Sequence, residues 1–180
     1  MKFSIIAAVD RARGIGKSGG LSWRLSADLK HFAEITKTVT KDGYQNAVIM
    51  GRKTWESLPG KFRPLPGRFN VVVTRESGIR NQELGNLVVV NSLDTALEEV
   101  VKSERKIERA FVIGGGQLYA AAISHPACER LYLTEVDGDF SCDVFFPELP
   151  NKFTKEKVGE WQEENGIRYR FTEYGCSNLK

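Results

Sequence analysis

Three short apolar runs in this chain end in residue types that hold phosphate. Ala47 to Met50 is followed by Gly51-Arg52-Lys53-Thr54, a glycine for close approach, then two cations and a hydroxyl where a helix starts. Ala110 to Ile113 runs into Gly114-Gly115-Gly116 before a helical pattern, where bare amides and a helix dipole can hold a pyrophosphate. Phe69 to Thr74 closes on Thr74-Arg75, a hydroxyl and a planar fork. In an open parallel sheet these ends share one crevice. Two phosphate sites and a third cation then describe a dinucleotide with an extra phosphate, NADPH rather than NADH. Each signal alone has a plainer reading: a triple glycine is often only a tight turn, and cations at strand ends are usually solvated.

Asp28 is the acid of interest. It stands two residues past Ser26, which is read as a helix cap, with Leu29, Phe32 and Ile35 following at core spacing. A carboxylate there either complements the helix dipole or, at the mouth of an apolar pocket, pairs with a flat amidine-like donor edge and assists proton delivery. His31 and His125 have no sequence neighbours that suggest a triad. Cys128, Cys142 and Cys176 are odd in number and far apart, so no disulfide framework or metal site is expected and a reducing compartment is the simpler reading. Gly14-Ile15-Gly16-Lys17-Ser18-Gly19 matches a dinucleotide fingerprint by letter, yet four residues separate it from its strand and Leu21-Ser22-Trp23 follows where a helix should begin. Residues 10 to 23 are read instead as a glycine-hinged loop that acts as a lid.

Those residues need a scaffold, and the apolar pattern supplies one. Phe3 to Val9, Ala47 to Met50, Phe69 to Thr74, Leu87 to Val90, Ala110 to Ile113 and Leu131 to Val136 are short and do not alternate, as strands buried on both faces do not. Helical patterns lie between them. One begins at Ser26. A second is capped by Ser92, with Leu93, Ala96, Leu97, Val100 and Val101 on one side and Glu98 paired with Lys102 outside; a third starts near Gly116. Ile167 to Tyr174 alternates after the turn signal Glu164-Asn165-Gly166, which predicts an antiparallel hairpin with Phe153 to Trp161. Pro59 to Gly67 reads as a surface excursion. The expected class is α/β: a single domain over residues 1–180, with a mixed, mostly parallel central sheet flanked by helices and an antiparallel C-terminal edge hairpin.

Composition narrows the partners. A hydrophobic share of 41% with a net charge of +3 excludes a disordered chain, and no run of like charges suggests a nucleic-acid surface. The N-terminus turns charged too soon for a signal peptide, and no apolar stretch approaches the ~20 residues of a membrane span. A cytoplasmic protein that binds a small anionic ligand is expected, with neither nucleic acid nor membrane as partner.

Taken in order, the motifs resemble those of the dihydrofolate reductase family, from Met1 to about Tyr174. They are Gly14-Ile15-Gly16-Lys17 with Leu21-Ser22-Trp23, Ala27-Asp28-Leu29 through Phe32, and Met50-Gly51-Arg52-Lys53-Thr54-Trp55. Arg63-Pro64-Leu65-Pro66-Gly67-Arg68, Ile113-Gly114-Gly115-Gly116 with Tyr119, and Phe145-Phe146-Pro147 complete the set. The resemblance implies NADPH-dependent reduction of dihydrofolate to tetrahydrofolate by hydride transfer. It also implies a place in one-carbon metabolism and in thymidylate and purine synthesis, sensitivity to antifolate inhibitors, and a monomer.

The resemblance also assigns residues. Asp28 grips the aminopyrimidine edge and aids protonation, Thr134 supports it, and Leu21 and Trp23 complete the catalytic group. Ile6, Ala7, Phe32, Leu58 and Ile113 match the walls around the pterin and nicotinamide, with Ser57, Leu65 and Tyr119 as further substrate contacts. Arg68 matches the fork on the α-carboxylate of the substrate's glutamate tail. For the cofactor, Arg52, Lys53 and Thr54 match phosphate contacts, and Thr74 and Arg75 match the 2′-phosphate site. Gly114, Gly115, Gly116 and Tyr119 match the pyrophosphate and nicotinamide-ribose region, with a cis peptide at Gly114-Gly115. Ala8, Ile15, Gly16, Gly51, Gln117 and Leu118 complete that set.

Two positions depart from the family pattern. Ser22 and Ser26 stand where the family usually or often has proline; Ser22 removes a φ constraint beside Trp23, and Ser26 serves as a cap. A reductase of another pyrimidine, such as the deaminated ribosylaminopyrimidine of riboflavin synthesis, would have no glutamate tail for Arg68. A non-catalytic nucleotide-binding module would leave Asp28 only a dipole to complement. The chain ends at Lys180, and no fused thymidylate synthase is expected.

Overall fold

The first strand is apolar throughout because its residues face two cores at once. In the computed structural model, which describes residues 1–76, 85–102, 104 and 106–177, β1 (Phe3–Val9) lies inside the sheet. It has β6 (Ile107–Val112) on one side and β7 (Cys128–Asp137) on the other, both parallel to it. Ile5, Ala7 and Val9 enter one apolar cluster and Ile6 the other. Beyond β6 the sheet continues, still parallel, through β3 (Gln45–Gly51), β4 (Arg68–Val73) and β5 (Leu87–Val90). On the other flank β11 (Ile167–Cys176) joins β7 antiparallel. Among the described residues nine strands form this mixed, mostly parallel sheet.

Helices cover both faces. α3 (Leu93–Lys102) and α4 (Gly116–Ser124) pack on one cluster; α1 (Ser26–Lys37) and the short α2 (Arg52–Ser57) pack on the other. Ser92 caps α3 as expected, its hydroxyl accepting from the Thr95 amide at 3.1 Å. Val101 does not join the buried stripe; it is exposed at the stripe's edge in the last turn.

Four further expectations are corrected. The segment 153–161 is not one strand: β9 (Phe153–Val158), across a register shift, and β10 (Gln162–Glu164), in continuous register, both pair with β11, and Trp161 lies outside them. The turn itself is as read, with Asn165 and Gly166 both at positive φ (54° and 76°). Residues 10–23 are not all loop, because β2 (Gly14–Gly16) pairs antiparallel with β8 (Val144–Phe145). The Pro59–Gly67 excursion is anchored rather than superficial. Leu65 is buried, and the buried Asn70 amide accepts from Leu65 N at 2.9 Å while donating to the carbonyls of Leu65 and Arg68.

The fourth correction concerns α1. Ser26 is its first helical residue, and Leu25 occupies the cap position without a side-chain bond. The carboxylate of Glu164 instead accepts from the Ser26 amide (2.8 Å), the Ser26 hydroxyl (2.6 Å) and the Ala27 amide (3.1 Å). Leu29, placed by spacing in the core, is 53% exposed: Phe32 and Ile35 reach the apolar cluster, and Leu29 lies a turn short of it. No helix among the described residues is long and apolar enough to cross a membrane.

Candidate active site

Because β1, β7, β6, β3 and β4 run parallel, their carboxyl ends meet along one edge. A cavity of about 600 Å³ opens there, lined by Gly51, Arg52 and Lys53 after β3, by Thr74 and Arg75 after β4, and by Gly115 to Leu118 after β6. The three strand ends singled out by their chemistry thus fall together. Gly51 N–H donates to Gly114 O at 2.7 Å, tying β3 to β6. The Gly114-Gly115 peptide is cis, as expected, and so is Arg63-Pro64. Gly114 has φ +119°, and a Cβ on it would stand 3.3 Å from Tyr119 and 3.4 Å from Thr54 Oγ1, so only glycine suits the position. Val144 of β8 also lines the cavity, which brings the β2–β8 ribbon, with Ile15 and the buried Gly16, to its wall.

The cavity's charge is positive and organised. Arg52 is gripped by Glu56 at 2.8 Å and Glu76 at 3.1 Å, and the Glu56 bond raises its already high pKa. Lys53 is exposed and has no carboxylate within 4.0 Å among the described residues. Thr74 is buried, its hydroxyl accepting from the Glu76 amide. Two guanidinium groups, an ammonium, hydroxyls and a glycine-rich helix start form a donor set that fits a phosphate-rich dinucleotide such as NADPH.

A second group centres on α1. Thr134, buried on β7, donates its hydroxyl to Asp28 Oδ1 at 2.6 Å. Burial pushes the Asp28 carboxyl above its ordinary range, and the Thr134 bond partly opposes this. Trp23 is buried against Phe140, Leu25, Val136 and Tyr169, and its indole Nε1 has no hydrogen-bond partner among the described residues. Tyr119 donates to the Ile6 carbonyl at 2.8 Å; burial and the nearby Asp28 charge push its phenol far upward, so it stays a neutral donor. Ile6, Ala7 and Ile113 are buried, Ala8, Phe32 and Leu58 are half-buried, and Leu21 is exposed. Ser57 spends its hydroxyl on the Thr54 carbonyl.

Arg68 lies toward the other end of α1. It is 3% exposed, donating from Nη1 to Thr36 Oγ1 at 2.8 Å and from Nε to Pro66 O at 3.2 Å. No carboxylate lies within 4.0 Å of it among the described residues, and burial lowers its pKa to about 10. A buried cation without a counter-charge suits an anionic ligand.

Sequence reasoning missed Thr36, Asn70 and Glu164. Asn70 had a signal, a lone amide inside the run Phe69 to Val73 that otherwise reads as buried. Thr36 is weaker, a hydroxyl on the inner side of α1. Nothing near Glu164 in the chain links it to α1. The histidines stand elsewhere: His31 stacks on Phe171, and His125 bonds Asp94 at 3.1 Å.

Fold and crevice together define a class: an α/β protein with a nucleotide-type cleft at the ends of its parallel strands and a half-buried acid beside it. Comparison with known proteins narrows this. The dihydrofolate reductase profile matches residues 2–175, and the chain belongs to the dihydrofolate reductase family. It is 39% identical over 180 residues to the dihydrofolate reductase of Aedes albopictus, covering 96% of both chains. It is 38% identical to that of Heliothis virescens, covering 97% of both. It is also 42% identical over 175 residues to the bifunctional dihydrofolate reductase-thymidylate synthase of Glycine max, and spans 33% of that protein's length.

Proposed function

We propose that this protein is an oxidoreductase that reduces dihydrofolate to tetrahydrofolate with NADPH, in the service of one-carbon metabolism. One observation carries the reading: α1 places an acid and a cation at its two ends. Asp28 lies in the first turn, and Thr36, which holds Arg68, lies eight residues on. At 1.5 Å rise per residue that is about 12 Å. Such spacing suits a ligand with a donor edge at one end and a carboxylate at the other. A pyrimidine substrate without a carboxylate tail would leave Arg68 unmatched.

Asp28 grips the aminopyrimidine edge, held in place at Oδ1 by Thr134. Its raised pKa makes it the group able to hold a proton close to the ring nitrogen that becomes protonated. Ile6, Ala7, Phe32, Leu58 and Ile113 wall the reacting rings from water, with Trp23 and Leu21 on the lid side. Arg68 clamps the α-carboxylate, so the ring is fixed from both ends. Arg52, Lys53, Thr54, Thr74, Arg75 and the segment Gly114 to Leu118 would hold NADPH, with Ala8, Ile15, Gly16 and Gly51 beside it. When bound, its reduced nicotinamide supplies the hydride for the substrate's imine carbon.

The test is to mix the protein with NADPH and dihydrofolate and follow absorbance at the NADPH band. Steady loss that an antifolate suppresses is expected; binding of both ligands with no NADPH consumed would refute the reading. We take residues 1–180 as one domain acting as a cytoplasmic monomer, which sedimentation and cell fractionation check.

A further inference from the structure

Helix α1 carries the acid, yet only Thr36 among its 12 residues is buried. A helix packed this lightly is not placed by its apolar face, since Leu29 is exposed and Phe32 and Ile35 are only half-buried. Its ends must place it. At the C-terminal end, Asn46 donates to the carbonyls of Thr36 and Thr38 at 3.1 and 3.0 Å, and Arg109 donates to Thr38 as well. At the N-terminal end Leu25 has no capping group to offer. The three donors of Ser26 and Ala27 converge on Glu164, a carboxylate 138 residues further along the chain from Ser26.

We propose that Glu164 is a positioning residue for the substrate: by capping α1 from the β10–β11 hairpin, it sets where Asp28 stands. The hairpin grips the start of the helix twice. Tyr169 of β11 packs with Trp23 and Leu25 on the apolar side, and Glu164 binds the first two amides on the polar side. The Ser26 bonds hold the Glu164 carboxyl below its ordinary range, so it acts as an anion at the positive end of the helix dipole. Ser26 is the matching half. It presents both an N–H and a hydroxyl, and both find the same carboxylate oxygen. Asp28 comes two residues after Ser26, so a shift of the cap is a shift of the acid.

The inference rests on Asp28 being the substrate anchor, and two variants separate the ideas. Glu164→Ala should raise the KM for dihydrofolate about tenfold while the Kd for NADPH, read by fluorescence quenching, stays within about twofold. Glu164→Gln keeps an acceptor oxygen and should recover most of that loss. If Glu164→Ala does not fold, Ser26→Ala, which deletes one of the three bonds, should move KM in the same direction. An unchanged KM, or parallel losses of substrate and NADPH affinity, would overturn the proposal. If Asp28→Asn also leaves KM unchanged, the anchor reading fails first; if only the Glu164 variants are silent, this inference fails alone.

Discussion

Burial pushes the Asp28 carboxyl above its ordinary value of 3.8, against the pull of the Thr134 hydroxyl. The folded protein therefore binds that proton more readily than the unfolded chain. The stability this contributes is complete below pH 3.8 and is lost as pH rises through the raised value. Above the raised value the ionised acid strains the fold, so there Asp28→Asn should unfold at a higher temperature than the parent, with the gap closing in acid. The same variant should lose about 10²-fold or more in kcat with NADPH affinity unchanged. Calorimetry and stopped-flow turnover read the two effects separately. Arg68 makes the complementary case. Arg68→Leu should raise the KM for dihydrofolate about 10- to 100-fold, the worth of charge-assisted bonds, with kcat preserved. Arg68→Lys should not restore it, because a point charge does not reproduce a fork held by Thr36 and Pro66.

The segment 10–23 is less free than its glycines suggest. Asp10, buried at the end of β1, accepts from the amides of Ala12 and Gly14 through one oxygen and of Phe140 through the other. A Cβ on Gly14 would stand 2.6 Å from Cys142 Sγ and 2.8 Å from Asp10 Oδ2. Gly14→Ala should therefore cost about 1–3 kcal/mol in urea denaturation, and adding Cys142→Ala should not relieve it, because the Cys142 Cβ also crowds the position. Elements of this kind mark where sequence reading stops. Phe3–Val9, Leu87–Val90, the Ser92 cap and the Asn165-Gly166 turn were legible because their causes are local: apolar runs, a hydroxyl before a helix, residues tolerant of positive φ. The β2 strand exists only through β8, and the α1 cap only through Glu164, so neither has a local cause to read. Leu29 shows a different limit. Helical periodicity reports an apolar face but not where along the helix its packing partners end, and Leu29 is left exposed.

A net charge of +3 says little until the cations are placed. Arg130, Arg168, Arg170, Lys155 and Lys157 are tied to carboxylates of β7, β9 and β11. Arg52, Lys53 and Arg75 line the cavity, Arg52 held there by Glu56 and Glu76. NADPH should accordingly stabilise the whole molecule, by about 2.7 kcal/mol at a hundred times its Kd, and the gain in unfolding temperature should shrink with added salt as the cavity's field is screened. The sheet order has a consequence for synthesis. β1 precedes both of its neighbours in the chain by a long stretch: Ser4 pairs with Phe111 on one side and Arg130 on the other. At cellular elongation speeds the nascent chain carries those apolar residues for roughly 5 to 20 seconds before either neighbour leaves the ribosome. For that interval β1 is an unpaired hydrophobic segment of the kind holdase chaperones bind, and the protein's soluble yield in a cell should fall when such chaperones are depleted.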